Sequence, residues 1–314
     1  MDTPRELTAR CQVAETSPWG GTRGDETAGC AVEQMISLHQ LRVVYQPIVD
    51  LRDGTVLAYE VLARSDGPES GGPRELFEQA VCSGCCGALG RAVRQLATSA
   101  APDLPLFMNA HPKELGERWL WEPEDPIYHH GPPVHLEITE SAPLRRFEAC
   151  RSLLDHLRGR GIHAVIDDLG AGFSNLRHLA ILRPSFAKLD RSLVRGLTRE
   201  SRMHRLVSSI VELCAGLDIQ VVAEGIETEA EADAVRATGA PYGQGYLFAK
   251  PAFPAPAVAW SGDASGSRES ASAVAAAAPP SHVRVRGDRC TAACAGGACV
   301  ATASGDWMRS ATGS

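Results

Sequence analysis

The feature that most constrains the fold is a regular alternation of short apolar runs with longer segments of helical pattern. The apolar runs are near-continuous, as expected for strands that are buried on both faces. They are RVVYQPIV (42–49), TVLAYEVLA (55–63), LPLFMNA (104–110), VHLEIT (134–139), HAVIDD (163–168), FAKLD (186–190), IQVVAEG (219–225) and GQGYLFA (243–249). The helical patterns between them cover about 74–100, 112–120, 144–160, 174–183, 199–217 and 228–238. Alternation around eight strands predicts an α/β fold, a TIM-like (β/α)8 barrel.

The link between the first two runs is too short for a crossover helix. Only DLRDGT (50–55) separates them, and Asp53-Gly54 is a common β-hairpin turn. We therefore expect the first strand to run antiparallel to the second, which makes the barrel a variant of the all-parallel form.

The composition divides the chain into an ordered centre and two weakly patterned ends. Residues 1–35 are polar and have no sustained periodicity, which predicts a flexible arm. Residues 259–314 are rich in Ala, Gly and Ser, which predicts a low-complexity, disordered tail. The centre, 36–258, is predicted to be a single domain. Within it we interpret Cys85 and Cys86 as packing residues, because disulfides are uncommon in a cytosolic chain.

The charge balance and the pattern of the first residues exclude two broad classes of partner. The sequence has 31 basic and 38 acidic residues, and its net charge of −7 argues against binding to a DNA or RNA polymer. No apolar run approaches the roughly 20 residues that span a bilayer. The opening MDTPRELTARCQVAETSPWGG lacks the apolar core of a signal peptide. We therefore expect a cytoplasmic protein with no membrane segment.

Polar side chains stand at or just beyond the carboxyl ends of the predicted strands, where barrels of this type build their active sites. The adjacent carboxylates Asp167 and Asp168 are costly to place together without a cation, although a surface turn is the simpler interpretation. The whole set is Glu60, Asn109, Glu137, Glu140, Asp167, Asp168, Lys188, Glu224, Glu227 and Gln244. Because this set draws on seven strands, we interpret it as a site.

The residue types indicate the chemistry of that site. Several carboxylate oxygens and one amide oxygen form a set of hard ligands that suits Mg²⁺ or Mn²⁺. There are enough of them for two ions, which would hold an attacking water and phosphate oxygens in an in-line displacement. Lys188 would orient the water and stabilise developing charge. Because successive strand side chains point to opposite faces, we expect Asp167 and Asp168 to sit where the strand gives way to the loop.

Seven segments resemble, in order and approximate spacing, the motifs of EAL domains, the cyclic di-GMP phosphodiesterases. They are YQPIVDLRDGTVLAYEVLAR, FMNAHP, LEITE, VIDDLGAGFSNL, AKLDRSLV, VVAEGIET and GQGYLFAKP, within about residues 40–252. The resemblance implies a TIM-like barrel and metal-dependent hydrolysis of cyclic di-GMP to linear 5′-pGpG, which lowers the level of this second messenger in bacterial signalling. It also implies a homodimer that forms through the loop after the fifth strand.

The resemblance further implies roles for individual residues. The implied metal ligands are Glu60, Asn109, Glu137 and Asp167 for a first ion, Asp168 for a second, and Glu224 beside them. The implied catalytic set is Lys188, which holds the water, Glu224, and Glu140, which anchors the loop after the fifth strand. The implied substrate-binding or supporting residues are Gln46, Arg64, Glu227 and Gln244, with Arg64 reaching a phosphate.

Four positions depart from the family pattern, and none of them removes a reactive group. The name-giving Glu-Ala-Leu carries Val61 in its middle, and Ser65 replaces the usual tryptophan. In the loop after the fifth strand, Leu169 and Ala171 replace a phenylalanine and a threonine. The alternative function is a catalytically silent receptor for cyclic di-GMP or a protein-interaction module. Silent members should lose a metal carboxylate or the lysine, and this chain keeps all of them, which favours the enzyme.

Overall fold

The computed structural model describes four stretches of the chain: 41–65, 73–139, 144–171 and 176–262. All of these residues fall within one compact unit. The predicted arm (1–35), nearly all of the predicted tail (259–314), Glu140 and the loop residues 172–175 lie outside the described residues. Within the described residues, no helix is both long enough and apolar enough to cross a bilayer.

Eight strands in the described part of the chain close into a barrel in chain order. They are β1 (Leu41–Asp50), β2 (Val56–Ser65), β3 (Leu106–Asn109), β4 (Val134–Thr139), β5 (His163–Leu169), β6 (Phe186–Leu189), β7 (Gln220–Ala223) and β8 (Tyr242–Gly243). β1 pairs antiparallel with both β2 and β8, and all other neighbours pair parallel. The predicted TIM-like barrel with a reversed first strand is confirmed.

Helices cover the outer wall between most of the strands. The described ones are α1 (Pro73–Cys82), α2 (Cys86–Ala100), α3 (Leu144–Gly159), α4 (Arg177–Leu182), α5 (Arg191–Val194), α6 (Arg202–Ala215) and α7 (Glu229–Ala237). The helical pattern predicted over 74–100 forms two helices, α1 and α2. Gly84 adopts a φ of +69° between α1 and α2, a conformation that interrupts a right-handed helix and that glycine adopts without strain. Cys85 and Cys86 are buried there as free thiols.

The prediction of a helix over 112–120 was wrong, because this segment bends around a buried cluster of ion pairs. Two 3-10 turns stand in its place, Glu114–Gly116 and Trp119–Trp121, and a third, Pro126–Tyr128, follows them. Arg94 of α2 donates to Glu114 Oε1 over 2.9 Å and to Asp125 Oδ2 over 2.7 Å, and all three side chains are buried. Burial raises the pKa of Glu114 to about 7 although Arg94 opposes the shift. Glu114 and Asp125, through their bonds to Arg94, therefore hold the segment between them against α2.

β8 is much shorter than the sequence predicts. The run 243–249 predicts a full strand, but only its first residue belongs to the strand Tyr242–Gly243. At Gly245 the backbone approaches Ile226 so closely that an added Cβ would overlap the Ile226 carbonyl. The chain beyond that point turns, and Leu247 N–H donates to the same carbonyl over 3.1 Å. Contact with the loop after β7 thus ends the strand.

α6 confirms the helix predicted there, but its regular apolar stripe does not face the barrel. Val207, Val211 and Cys214 are the buried residues of this helix. The stripe residues Met203, Leu206, Leu213 and Leu217 are between 40% and 48% exposed. The outer wall therefore carries an apolar strip along α6, which we call the α6 face.

The barrel interior is apolar toward the amino ends of the parallel strands. Ile48, Ala58, Phe107, Val165, Phe186 and Val222 pack together there, with Tyr242 against them. The His135 ring lies 4.5 Å from Phe107 and 5.0 Å from Phe186, measured between ring centroids. Burial lowers the pKa of His135 to about 4, so this ring is neutral at pH 7. We call these eight residues, one from each strand, the apolar floor.

The segment after β8 runs along the hairpin of β1 and β2, whose short connection contains no helix. Tyr59 Oη donates to the Pro256 carbonyl over 3.1 Å. Trp260 packs edge-on against Phe248 at 4.9 Å and donates through Nε1 to Glu229 Oε2 over 2.9 Å. We call residues 253–262 the strap, because they bind the hairpin to the rest of the barrel.

Candidate active site

A second layer of side chains lies above the apolar floor, toward the carboxyl ends of the parallel strands. A polar residue stands two positions from each floor residue and on the same face, since alternate residues of a strand share a face. Glu224 and Gln244 follow the last residues of β7 and β8 directly. The members are Gln46, Glu60, Asn109, Glu137, Asp167, Lys188, Glu224 and Gln244. We call this set the polar layer. Its burial is uneven, because Glu137 and Lys188 are enclosed whereas Asn109, at the end of β3, is exposed.

Lys188 lies at the centre of the polar layer. Its Nζ atom is 2.6 Å from Glu224 Oε1 and 2.9 Å from Glu137 Oε1. The same atom is 3.2 Å from Glu60 Oε1 and 3.3 Å from Asp167 Oδ1. One ammonium group thus contacts carboxylates from four different strand ends, and the fold brings together five of the predicted site residues.

The electrostatics of this cluster follow from burial and from the excess of acids. Burial opposes the charge of Lys188, but the four carboxylates outweigh it and hold its pKa well above the usual range. Burial raises the pKa of Glu137 strongly and that of Glu224 to about 7, against the effect of Lys188. At Glu60 burial is outweighed by Lys188 and by the Gln244 amide, so its pKa is lowered. The cluster is therefore short of positive charge.

Several buried carboxylate oxygens in this cluster have no hydrogen-bond donor among the described residues. They are both Oε atoms of Glu137 and Oδ1 of Asp167. Lys188 is close to both residues but does not meet hydrogen-bond geometry with these atoms. Lys188 is the only cation among the described residues that contacts this cluster, and one ammonium group does not offset the charge of four carboxylates. An oxygen donor set of this kind fits a hard divalent ion such as Mg²⁺ or Mn²⁺.

Asp167 and Asp168 both belong to the end of β5, and a bulge lets them share a site. The register between β5 and β6 shifts between Ile166 and Leu169, and Asp168 adopts a φ of +59°. Asp167, Asp168 and Glu224 bring carboxylate oxygens within 4.8 Å of one another, a spacing that could hold a metal ion. Burial and the neighbouring Asp167 raise the pKa of Asp168. The strand ends at Leu169, one residue beyond the predicted run 163–168, and the pair lies at its end.

The predicted substrate-binding residues fall into two groups. Gln46 and Gln244 are buried in the polar layer, and Gln244 Nε2 donates to Glu60 Oε2 over 2.7 Å. Arg64 is half-buried near the mouth and donates to the Ala63 carbonyl over 2.8 Å. Glu227 is exposed, and its backbone N–H donates to Glu231 at the start of α7. Glu227 therefore lies on the rim rather than in the polar layer.

One acidic residue near the site was missed by the sequence analysis. Asp190 follows β6 directly, caps α5 through Ser192 N–H over 2.9 Å, and lies close enough to raise the pKa of Asp168. The rule that strand ends carry the site would have found it, since it stands two positions after Lys188.

An eight-stranded barrel with one reversed strand and an acidic layer around a buried lysine defines the class of this protein, a TIM-like barrel with a carboxylate-rich site at the ends of its strands. A family model described as EAL domain matches residues 30–251, and the chain belongs to this family. The resemblance seen in the sequence is confirmed.

Relatives of known name share about a third of their residues with this chain. The cyclic di-GMP phosphodiesterase RocR of Pseudomonas aeruginosa is 32% identical over 225 residues, which cover 68% of this chain and 57% of RocR. The cyclic di-GMP phosphodiesterase PdeR of Escherichia coli is 31% identical over 234 residues, which cover 70% of this chain and 35% of PdeR. The chain therefore spans less than two thirds of the length of either relative.

Solved structures of the family have the same fold. The phosphodiesterase PaMucR in complex with c-di-GMP is 29% identical, with a TM-score of 0.60 over 68% of this chain and 97% of that one. The manganese and cyclic di-GMP complex of Klebsiella pneumoniae BlrP1 is 30% identical, with a TM-score of 0.59 over 68% of this chain and 56% of that one.

Proposed function

We propose that this protein hydrolyses cyclic di-GMP to linear 5′-pGpG with two Mg²⁺ or Mn²⁺ ions, and so lowers the level of this second messenger in the bacterial cytoplasm. The observation that carries the proposal is the enclosure of Lys188 by four carboxylates, which leaves the cluster short of positive charge. The names of RocR and PdeR, and the ligand in the BlrP1 complex, support the choice of substrate and of metal.

The residues of the polar layer would divide the metal ions between them. Glu60, Asn109, Glu137, Asp167 and Glu224 would hold the first ion, and Asp168 the second, because the bulge in β5 directs both aspartates to one site. Divalent ions bound there would act as Lewis acids and lower the pKa of a bound water, as metal ions do in phosphodiester hydrolysis.

The other groups of the site would position the reactants. Lys188 holds a donor in the middle of the carboxylates, where it would orient the attacking water and stabilise charge on the phosphate oxygens. Arg64 is close to the mouth, where a guanidinium would contact a phosphate. The apolar floor closes the barrel below the site, so the substrate would enter from the mouth only.

The deciding experiment is turnover of cyclic di-GMP by the purified full chain in Mg²⁺ or Mn²⁺, followed by chromatography of the nucleotides. We expect 5′-pGpG to accumulate, EDTA to stop the reaction, and Glu60→Ala to abolish it. Tight binding of cyclic di-GMP without a linear product would contradict the proposal and would indicate the silent receptor instead.

We also propose that the chain forms a homodimer through the region beside the loop after β5. Leu176, at the end of that loop, is 46% exposed, and the α6 face adds exposed apolar side chains on the helix between β6 and β7. A second copy suits this surface because a two-fold axis would pack α6 antiparallel on itself, leucine against leucine. Such contacts would remove the apolar strip from water.

A further inference from the structure

Positive charge is concentrated in the stretch 191–205, which contains α5 and the first turn of α6. Five arginines stand there against one acid, Glu200, which gives the stretch a net charge of +4 in a chain whose net charge is −7. All five arginines are exposed: Arg191, Arg195, Arg199, Arg202 and Arg205. We call this stretch the basic patch. It is a local region of positive potential that attracts anions to an otherwise acidic protein.

Part of the basic patch lines a cavity at the edges of α6 and α7. The cavity has a volume of about 580 Å³, and its lining residues are Arg199, Glu200, His204, Arg205 and Ala237. Small-molecule sites commonly have volumes of about 300–1,000 Å³, so this cavity has room for more than a single ion. Because 3.6 residues make one helical turn, His204 and Arg205 point away from the α6 face, and the cavity is a separate surface.

The arginines of the cavity have few partners within the protein. The guanidinium of Arg205 makes no hydrogen bond and no ion pair in the described part of the chain. Arg199 donates to the backbone carbonyl of Asp233 over 3.3 Å, whereas the Asp233 carboxylate pairs with Arg236. Each guanidinium has five N–H donors, so most of these donors remain available to a ligand.

The first turn of α6 adds backbone donors beside these side chains. The helix begins after Ser201, whose Oγ accepts a hydrogen bond from the His204 N–H over 3.0 Å. This side chain does not cap the N–H groups of Arg202 and Met203, which precede His204 in the same turn. Free N–H groups and the positive end of the helix dipole favour phosphate at such a position.

We propose that the cavity between α6 and α7 binds a small molecule that carries two or more phosphate groups, with Arg199 and Arg205 contacting the phosphates. A guanidinium binds phosphate through two parallel N–H donors, and two arginines beside a helix start suit more than one phosphate. The cavity contains no residue of the polar layer. The proposal therefore goes beyond the proposed function and does not depend on it.

The test is isothermal titration calorimetry of the full chain with pyrophosphate and with ATP. EDTA is present, so that no divalent ion carries either compound to the polar layer. We expect both compounds to bind, and adenosine, which has no phosphate, not to bind. Arg205→Gln should weaken the binding of pyrophosphate by roughly 10-fold or more, because charge-assisted hydrogen bonds are lost. Glu200→Gln should strengthen it, because the acid that repels phosphate is removed.

Arg195→Gln is the matched control. It removes the same charge from the same basic patch, but Arg195 does not line the cavity. The affinity for pyrophosphate should change by less than about twofold in physiological salt, which screens exposed charges over about 8 Å. Equal losses in Arg195→Gln and Arg205→Gln would indicate diffuse attraction to the patch and would overturn the site. All three substituted residues are exposed, so each variant should unfold thermally like the parent chain.

Two further results would overturn the proposal. One is failure of both pyrophosphate and ATP to bind at millimolar concentrations. The other is binding to vesicles that contain phosphatidylglycerol, lost in Arg205→Gln, without binding of pyrophosphate, which would assign the patch to a lipid surface. Because the titration contains neither cyclic di-GMP nor a divalent ion, its outcome is independent of the outcome for hydrolysis.

Discussion

The Nζ atom of Lys188 lies 2.6 Å from Oε1 of Glu224, and the same ammonium group is the only cation in contact with the acids of the polar layer among the described residues. One positive charge therefore faces four carboxylates inside the barrel. Such an arrangement is poorly balanced as a purely structural feature, because buried charges require partners of equal number. It is well suited to a site that completes itself with divalent ions.

Replacement of Lys188 by methionine should remove catalysis and weaken the metal-free fold. We expect turnover of cyclic di-GMP to fall by at least about 100-fold, the usual contribution of a positioned proton-transfer group. In EDTA the free energy of unfolding in urea should fall by about 3 kcal/mol, because buried carboxylates lose their cation. Lys113→Met, on an exposed lysine, is the control. A Lys188→Met protein with a parental turnover rate would contradict the assignment.

Glu114 should make the stability of the fold depend on pH. Its pKa is raised from 4.5 to about 7, so between these values the folded protein keeps a proton that the unfolded chain has lost. The stabilisation is complete below pH 4.5 and is lost as the pH rises through 7. It amounts to about 3 kcal/mol.

The variant Glu114→Gln should remove this part of the pH dependence, because glutamine mimics the protonated acid. The free energy of unfolding in urea, measured at several pH values between 4.5 and 8, gives this pH dependence. Glu212→Gln, on the exposed side of α6, should leave the parental slope unchanged. A Glu114→Gln protein with the parental slope would show that Glu114 is not the group responsible.

Gly245 should not tolerate even one added carbon. A Cβ there would overlap the carbonyl of Ile226, so Gly245→Ala must displace the segment that carries Gln244. We expect a loss of about 2 kcal/mol in the free energy of unfolding, typical of overpacking. Gly216→Ala is the matched control, since a Cβ at Gly216 meets only ordinary contacts and its φ is −66°. Equal unfolding midpoints for the two variants would refute this explanation.

Trp260 should stabilise the barrel although it lies far along the chain from the strands it helps to hold. Trp260→Ala removes the contact with Phe248 and the hydrogen bond to Glu229, and should cost about 2 kcal/mol. Trp121→Ala, at a tryptophan that is 42% exposed, should cost less. Chemical denaturation gives the free energy of unfolding of both variants. A larger loss of stability in Trp121→Ala than in Trp260→Ala would contradict a stabilising role for the strap.

The α6 face gives a direct test of the proposed dimer. Leu213→Arg places a charge in the apolar strip and should shift the chain from dimer to monomer in analytical ultracentrifugation. Leu96→Arg, at a 37% exposed leucine of α2, should leave the dimer intact. A parent chain that sediments as a monomer at all concentrations would refute the dimer itself.

The order and direction of the elements could be predicted because they depend on local patterns. Apolar runs marked the strands, and the Asp53-Gly54 turn marked the reversal of β1. Three features could not be predicted because they depend on contacts between distant residues. β8 ends early where Gly245 meets Ile226, the segment 112–120 bends around Arg94, and the strip on α6 faces outward.

For the site, the identities of the residues could be predicted from the sequence, but their geometry could not. The strand-end rule and the family motifs together identified every acid that contacts Lys188. They did not reveal that Asp168 takes a left-handed conformation within a bulge, nor that Gln46 faces another amide. Such details follow from register between strands, which a single sequence does not specify.

The strap sets an order of events during synthesis on the ribosome. β1 and β2 are the first strands of the barrel to leave the exit tunnel, and the residues that cover their hairpin, up to Gly262, come after every other strand. The contacts between the strap and the hairpin therefore cannot form while the rest of the barrel is translated. The contacts of Trp260 with Phe248 and Glu229 can form only after Trp260 has left the exit tunnel, so a shorter nascent chain lacks the stabilisation that the strap provides.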